Sequence, residues 1–179
     1  MLHDQLLSAA ADDRPARVAL LLAHGVPADG DEPGHPVHGG RPALELALLA
    51  GGTEAVDLLV AAGARAELDD AERALATLMR GEPATSAEAV ARFPGATARA
   101  AALGKVPALR ALAAAGFPLE VGNPLHEAAF HGHRDAVDAL LALGADPTAR
   151  DPRFHAPPSG WAEHNGHRDL AAHLRSIEG

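Results

Sequence analysis

Four pairs of turn residues stand twelve positions apart along the chain: Asp13 and Gly25, Gly51 and Gly63, Gly104 and Gly116, and Gly132 and Gly144. Seven, four and three residues before each closing glycine the same apolar set recurs, as Val18, Leu21 and Leu22; Val56, Leu59 and Val60; Leu109, Leu112 and Ala113; and Val137, Leu140 and Leu141. Spacings of three and four place such residues on one face of a helix, and a following glycine accepts the left-handed conformation in which helices commonly stop. Each set therefore predicts a short helix, with the residue twelve before its glycine marking the turn out of a preceding helix. Hairpins this short cannot offset their ordering entropy alone and must stack on similar neighbours. The expected class is all-α, a stack of helix-turn-helix units.

Composition narrows what such a stack does. A chain of 179 residues is about one domain's worth, and 47% hydrophobic residues suffice for a continuous core, but aromatics are only 3%, with no Tyr and one Trp. The core is expected to be Ala, Leu and Val, whose small side chains let helices approach closely and argue against a β-sandwich. A net charge of −9 and a pI near 5.6 disfavour nonspecific binding to nucleic acid or anionic membranes. Cysteine is absent, which removes disulfides, thiolate metal sites and thiol nucleophiles together. The N-terminal MLHDQLLSAAADDRPARV lacks a basic segment followed by a long apolar one, and no apolar run reaches the roughly 18 residues of a spanning helix. A cytoplasmic protein without membrane association is expected.

The stretch Asn123 to Asp151, NPLHEAAFHGHRDAVDALLALGADPTARD, carries the most specific pattern. Pro124-Leu125-His126 with Ala128-Ala129, then Gly132-His133, Val137 with Leu140-Leu141, and Gly144-Ala145-Asp146 resemble one ankyrin repeat, with Asn123 where threonine is usual. The resemblance extends to Ala43-Leu44-Glu45-Leu46-Ala47 and to Pro157-Pro158-Ser159-Gly160-Trp161-Ala162, and it implies a solenoid of five to six units with hairpin-like finger loops. The units are expected at about 1–29, 30–68, 69–93, 94–121, 122–151 and 152–179, within a single domain 1–179. It also implies a non-catalytic protein-interaction module without cofactor, whose partner is another protein held on a concave face of inner helices and finger loops.

Several places depart from the pattern. Gly51 and Gly104 are 53 residues apart, too far for one repeat of about 33 and short for two, so 69–93 is expected to be a degenerate unit and a candidate bend or hinge. Asp69-Asp70 before Leu75, Leu78 and Met79 reads as a helix, and Thr85-Ser86-Ala87-Glu88 as a capping box opening another. Thr53 is expected to cap the helix that follows it. Thr97 stands where the core leucine of the fourth unit belongs, and in the last unit Ser159 replaces a core leucine and Pro157 the usual threonine, so that unit is expected to pack loosely and fray.

No catalytic signature accompanies the repeats. Gly-x-Ser-x-Gly, Gly-x-Gly-x-x-Gly and Walker-type loops are absent, and Glu45, Glu127 and Asp69-Asp70 are expected to be solvated charges. Eleven histidines, with the pairs His35/His38, His131/His133 and His164/His167, raise a metal-responsive alternative. His24, His126, His133 and His167, however, occupy positions where the resembling family commonly has histidine, its ring bridging backbone groups at turns. A self-assembling subunit is the other alternative. Candidate partner-binding residues are His35, His38, Arg41 and Glu45 from the long second loop, and Arg153, Phe154, His155 and Trp161 near the last inner helix. Full histidine protonation takes the formal charge from −9 to +2. Electrophoretic mobility is therefore expected to change sign between neutral pH and about pH 5, and a mobility that stays anionic would refute this.

Overall fold

In the computed structural model, which describes residues 2–29 and 40–178, every element is a helix. The chain divides into two compact units, Met1–Arg80 and Gly81–Gly179. The boundary falls within the stretch expected to be a degenerate repeat.

The first unit holds α1 (Leu2–Ala11), α2 (Pro15–Ala23), α3 (Ala43–Leu49), α4 (Glu54–Ala61) and α5 (Asp70–Met79). Helices α1, α3 and α5 stack in one layer, and α2 and α4 pack behind them in a second. Leu6, Leu7, Val18, Leu21, Leu44 and Leu59 are buried together with a set of alanines. The alanines allow the close helix spacing that an aromatic-poor chain requires. Each hairpin turn is tied to the next. The Asp13 carboxylate lies so near Gly52 that a Cβ there would sit 2.4 Å from its Oδ1, and a Cβ on Gly51 would sit 2.2 Å from the Met79 carbonyl oxygen.

Gly81–Gly179 holds α6 (Ala87–Arg92), α7 (Ala96–Ala102), α8 (Val106–Ala114), α9 (Pro124–Phe130), α10 (Arg134–Ala142), α11 (Pro158–His164) and α12 (Arg168–Glu178). The inner layer is α7, α9 and α11; α8 and α10 pack together outside it, and α12 folds back on α11. Leu109, Leu112, Leu125, Val137, Leu140, Leu170 and Leu174 form the buried face. The turn missing from the expected series between Gly51 and Gly104 is Gly81, which has φ +83 and lies against Pro107 at the start of α8.

Local expectations are corrected in four places. In α4 the position three before the closing glycine faces outward: Val60 is 55% exposed while Leu59 is buried. The buried neighbour is instead the alanine eight before the glycine, as at Ala55, Ala108 and Ala136. Thr53 makes no side-chain cap bond. Helix α6 is capped by Ser86, which accepts from the Ala89 N–H at 3.0 Å, rather than by Thr85. The capping box lies on α5, where Asp69 and Glu72 exchange side-chain and backbone hydrogen bonds.

Loose packing of the last unit was expected from Ser159, yet Ser159 is buried. Glu178, at the end of α12, accepts from the Ser159 N–H at 3.1 Å and from its hydroxyl at 2.7 Å. A carboxylate from the neighbouring helix thus satisfies a first-turn donor of α11 and ties α11 to α12 where a leucine would have packed. Glu178→Ala is expected to lower stability by about 1–2 kcal/mol and to speed hydrogen exchange in α11 before α9. Equal exchange in the two helices would exclude this capping role.

Candidate functional site

The loop 151–156 is built around one carboxylate. Asp151 is almost fully buried. Its Oδ1 accepts from the N–H groups of Arg153 at 3.0 Å and Phe154 at 2.7 Å, while its Oδ2 accepts from the Ala156 N–H at 3.0 Å and from Trp161 Nε1 at 3.1 Å. The Asp151 N–H donates to the Ala156 carbonyl, and the His155 N–H donates to the Asp151 carbonyl. His155 takes the left-handed conformation, φ +52, which closes the turn. One buried acceptor pair therefore sets both the loop backbone and the tryptophan ring on the neighbouring helix.

Burial pushes the Asp151 carboxyl up, but the hydrogen bonds from Phe154, Trp161, Ala156 and Arg153 outweigh it and hold the group at about 2, below its ordinary 3.8. The sign follows directly. The folded state prefers the carboxylate, so its contribution to stability is complete above about pH 4 and is lost as pH falls from there towards 2. The Asp151 carboxyl carbon, followed by NMR, is expected to titrate with a midpoint near 2 while exposed aspartates titrate near 4. A midpoint near 4 for Asp151 would show that the four donors do not grip it.

The same loop is held from below by His126 of α9. His126 is buried, and its Nε2–H donates to the Ala156 carbonyl at 3.1 Å. Burial lowers its pKa against the opposing pull of that carbonyl and the Asp151 charge. Trp161 meets His126 edge-on at 5.4 Å between centroids and Phe130 at 5.9 Å. Its indole is thus fixed by two rings and one hydrogen bond.

Above this support, Phe154 is 64% exposed. The Arg153 guanidinium lies over its ring at 5.0 Å from the centroid. Phe154, Trp161, Phe130, His164, Ala156 and Gly160 enclose an open cavity of about 370 Å³. The structure brings together four residues singled out from the sequence: Arg153, Phe154 and His155 on the loop and Trp161 beneath it.

The second group of candidates is arranged differently. His35 and His38 lie outside the described residues. Arg41 bonds to Glu45 at 3.1 Å and to the buried Glu72 of α5 at 2.5 Å. Glu45 also accepts from the Glu67 N–H at 3.3 Å. Burial pushes Glu72 up, and Arg41 together with the Asp69 N–H more than reverses it, lowering its pKa. Arg41 and Glu45 thus cross-link α3 to α5 within the first unit, and their charged ends are engaged inside the protein.

Two further histidines bond to backbone carbonyls. The His133 Nε2–H donates to the Ala102 carbonyl at 3.0 Å, and His24 Nδ1 lies 2.7 Å from the Leu20 carbonyl at the end of α2. His131 and His133 stack at 6.0 Å. Among the described residues no group of three or more His, Cys, Asp or Glu gathers around a common point. Nor is any described helix long and apolar enough to cross a membrane.

Asp151 is the residue of this candidate site that sequence reasoning missed. It carried a signal, an Asp-Pro step opening a loop that ends in Pro157-Pro158, but nothing in the sequence distinguishes a buried acceptor from a solvated charge. Comparison with known proteins agrees with the fold. Residues 123–152 match the family model described as "Ankyrin repeat". An Espin-like protein of Homo sapiens is 38% identical over 56 residues, which is 31% of this chain and 6% of that protein. The chain therefore spans a small part of the length of the curated relative it matches.

Proposed function

We propose that this ankyrin-repeat chain is a non-catalytic module that binds another protein through the surface around Phe154 and Trp161. Ankyrin repeats are generally protein-interaction modules, and the helical hairpins together with the repeat at 123–152 support that reading. The observation that carries it is Phe154: a large apolar side chain held 64% exposed by a loop whose conformation is set by a buried carboxylate. Leaving an aromatic ring in water has no folding benefit, whereas a rigid exposed aromatic beside an arginine has the composition of interface hot spots. Preorganisation by Asp151 lowers the ordering cost that binding would otherwise incur. A cytoplasmic setting belongs to the same reading, supported by the absence of cysteine.

Arg153, Phe154, His155 and Trp161 form the contact surface in this proposal. Arg41 and Glu45 act by holding α3 and α5 together, which makes Arg41 an unsuitable probe of binding. The test is affinity capture from native lysate with wild-type bait and with an Arg153→Ala, Phe154→Ala bait that retains its circular dichroism. A protein captured by the wild type and reduced about tenfold or more on the double variant is the expected result. Equal capture by both baits would remove this surface from the proposal.

A further inference from the structure

Resting on that protein-binding reading, we propose that the cavity bounded by Phe130, Phe154 and Trp161 takes one large apolar side chain from a partner segment whose flanking residues are acidic. The cavity is small: about 370 Å³ is near the lower end of the roughly 300–1,000 Å³ of small-molecule pockets, so it suits a single anchoring side chain. Its walls are rings and aliphatic groups apart from the His164 imidazole. The indole N–H of Trp161, the other polar atom available, is already given to Asp151. A polar or charged group seated inside would lose its water without gaining equivalent partners.

Charge at the rim selects what flanks the anchor. Arg153 lies over Phe154, and Arg150 donates to the His155 carbonyl. Neither guanidinium pairs with a carboxylate among the described residues. The nearby carboxylates are committed elsewhere: Asp151 to its four donors, Glu163 to Arg175, and Glu178 to Ser159. Two guanidiniums thus stand at the rim, while the Asp151 carboxylate beneath them is almost fully buried, on a chain whose net charge is −9. At physiological salt, charges on other faces are screened over about 8 Å, so a docked segment experiences the local rim more than the net charge. Aromatic walls alone would also attract an ammonium group, but Arg153 already occupies a face of Phe154 and repels a second cation. Acidic flanks gain charge-assisted bonds to the guanidiniums and also supply the specificity.

Three blocked peptides test this: acetyl-Asp-Glu-Phe-Glu-Asp-amide, its Phe-to-Ala form, and acetyl-Lys-Lys-Phe-Lys-Lys-amide. Binding is read by amide chemical shifts and by the emission of Trp161, the only tryptophan. The acidic Phe peptide is expected to move the resonances of Phe154, Gly160, Trp161 and His164. Affinity should fall at least tenfold for the Ala and the Lys peptides. Arg153→Glu, with its fold verified by circular dichroism, should narrow or invert the preference between acidic and basic Phe peptides. Equal affinity for these two peptides on the wild type would overturn the acidic selection while leaving protein binding intact. If no peptide perturbs the cavity although Phe154 is required for capture from lysate, the anchoring inference falls alone. If Phe154 is dispensable for capture as well, the functional proposal falls with it.

Discussion

Gly51→Ala is expected to destabilise the first unit by about 3 kcal/mol, about twice the effect of the same change at Gly63. Both glycines have positive φ, +68 and +89, so alanine incurs the left-handed penalty of about 1–2 kcal/mol at either site. Their surroundings differ. A Cβ at Gly63 meets nothing within 4 Å, whereas at Gly51 it would come 2.2 Å from the Met79 carbonyl oxygen and 2.4 Å from its carbon. That obstacle is backbone at the end of α5, which cannot rotate away as a side chain would, and relieving it requires α5 to shift from α3. Overpacking of this kind costs about 1–3 kcal/mol more. Urea unfolding of both variants followed by circular dichroism measures the difference. Equal losses would mean that α3 and α5 are not as closely apposed as described.

Asp151→Asn is expected to disrupt the candidate site with little change in overall shape. The aspartate uses both oxygens as acceptors, two donors on each. Asparagine has one acceptor oxygen, so its amide NH₂ must face either the Arg153 and Phe154 N–H groups or the Ala156 N–H and the Trp161 indole. Donors then oppose donors in a buried place, and unsatisfied buried groups are costly. A fall in melting temperature of about 5 °C or more is expected, with amide exchange at Phe154 and Ala156 faster by about tenfold and a red shift in Trp161 emission. Helices α9 and α10 should keep their protection. If Trp161 emission and loop exchange stay at wild-type values, Asp151 does not organise the loop, and the preorganisation invoked for binding would fail with it.

The two variants separate what was legible in the sequence from what was not. The turn at Gly51 was readable because helix ends obey local rules: a run of apolar residues at helical spacing followed by glycine has the same meaning wherever it occurs. The outer helices and most inner ones follow from such rules. Gly81 escaped because short α6 breaks the twelve-residue interval between a turn and its closing glycine. The outward direction of Val60 was likewise hidden, since hydrophobicity alone does not say which of two adjacent helical positions meets the inner layer.

The candidate site divides along the same line. Phe154 and Trp161 could be singled out because aromatics are scarce in this chain, and their distance of seven residues along the sequence was short enough to suggest one locality. Arg41 and Asp151, by contrast, are charges whose meaning depends on partners from other segments. Arg41 meets Glu72, 31 positions away, and Asp151 meets the Trp161 indole across a turn. The same residue types in water would be solvated contact groups.

By itself the sequence determined the all-helical class, the helical hairpins, the ankyrin repeat at 123–152 and the aromatic loop near the end, because helix periodicity and glycine turns are properties of neighbouring residues. Tertiary structure alone decided which charges are buried fasteners, that Glu178 holds the buried Ser159 where the repeat pattern has a leucine, and that Asp151 sets Phe154 and Trp161 around one cavity. A buried hydrogen bond depends on where two distant segments meet, and that position is fixed only when the hairpins have stacked.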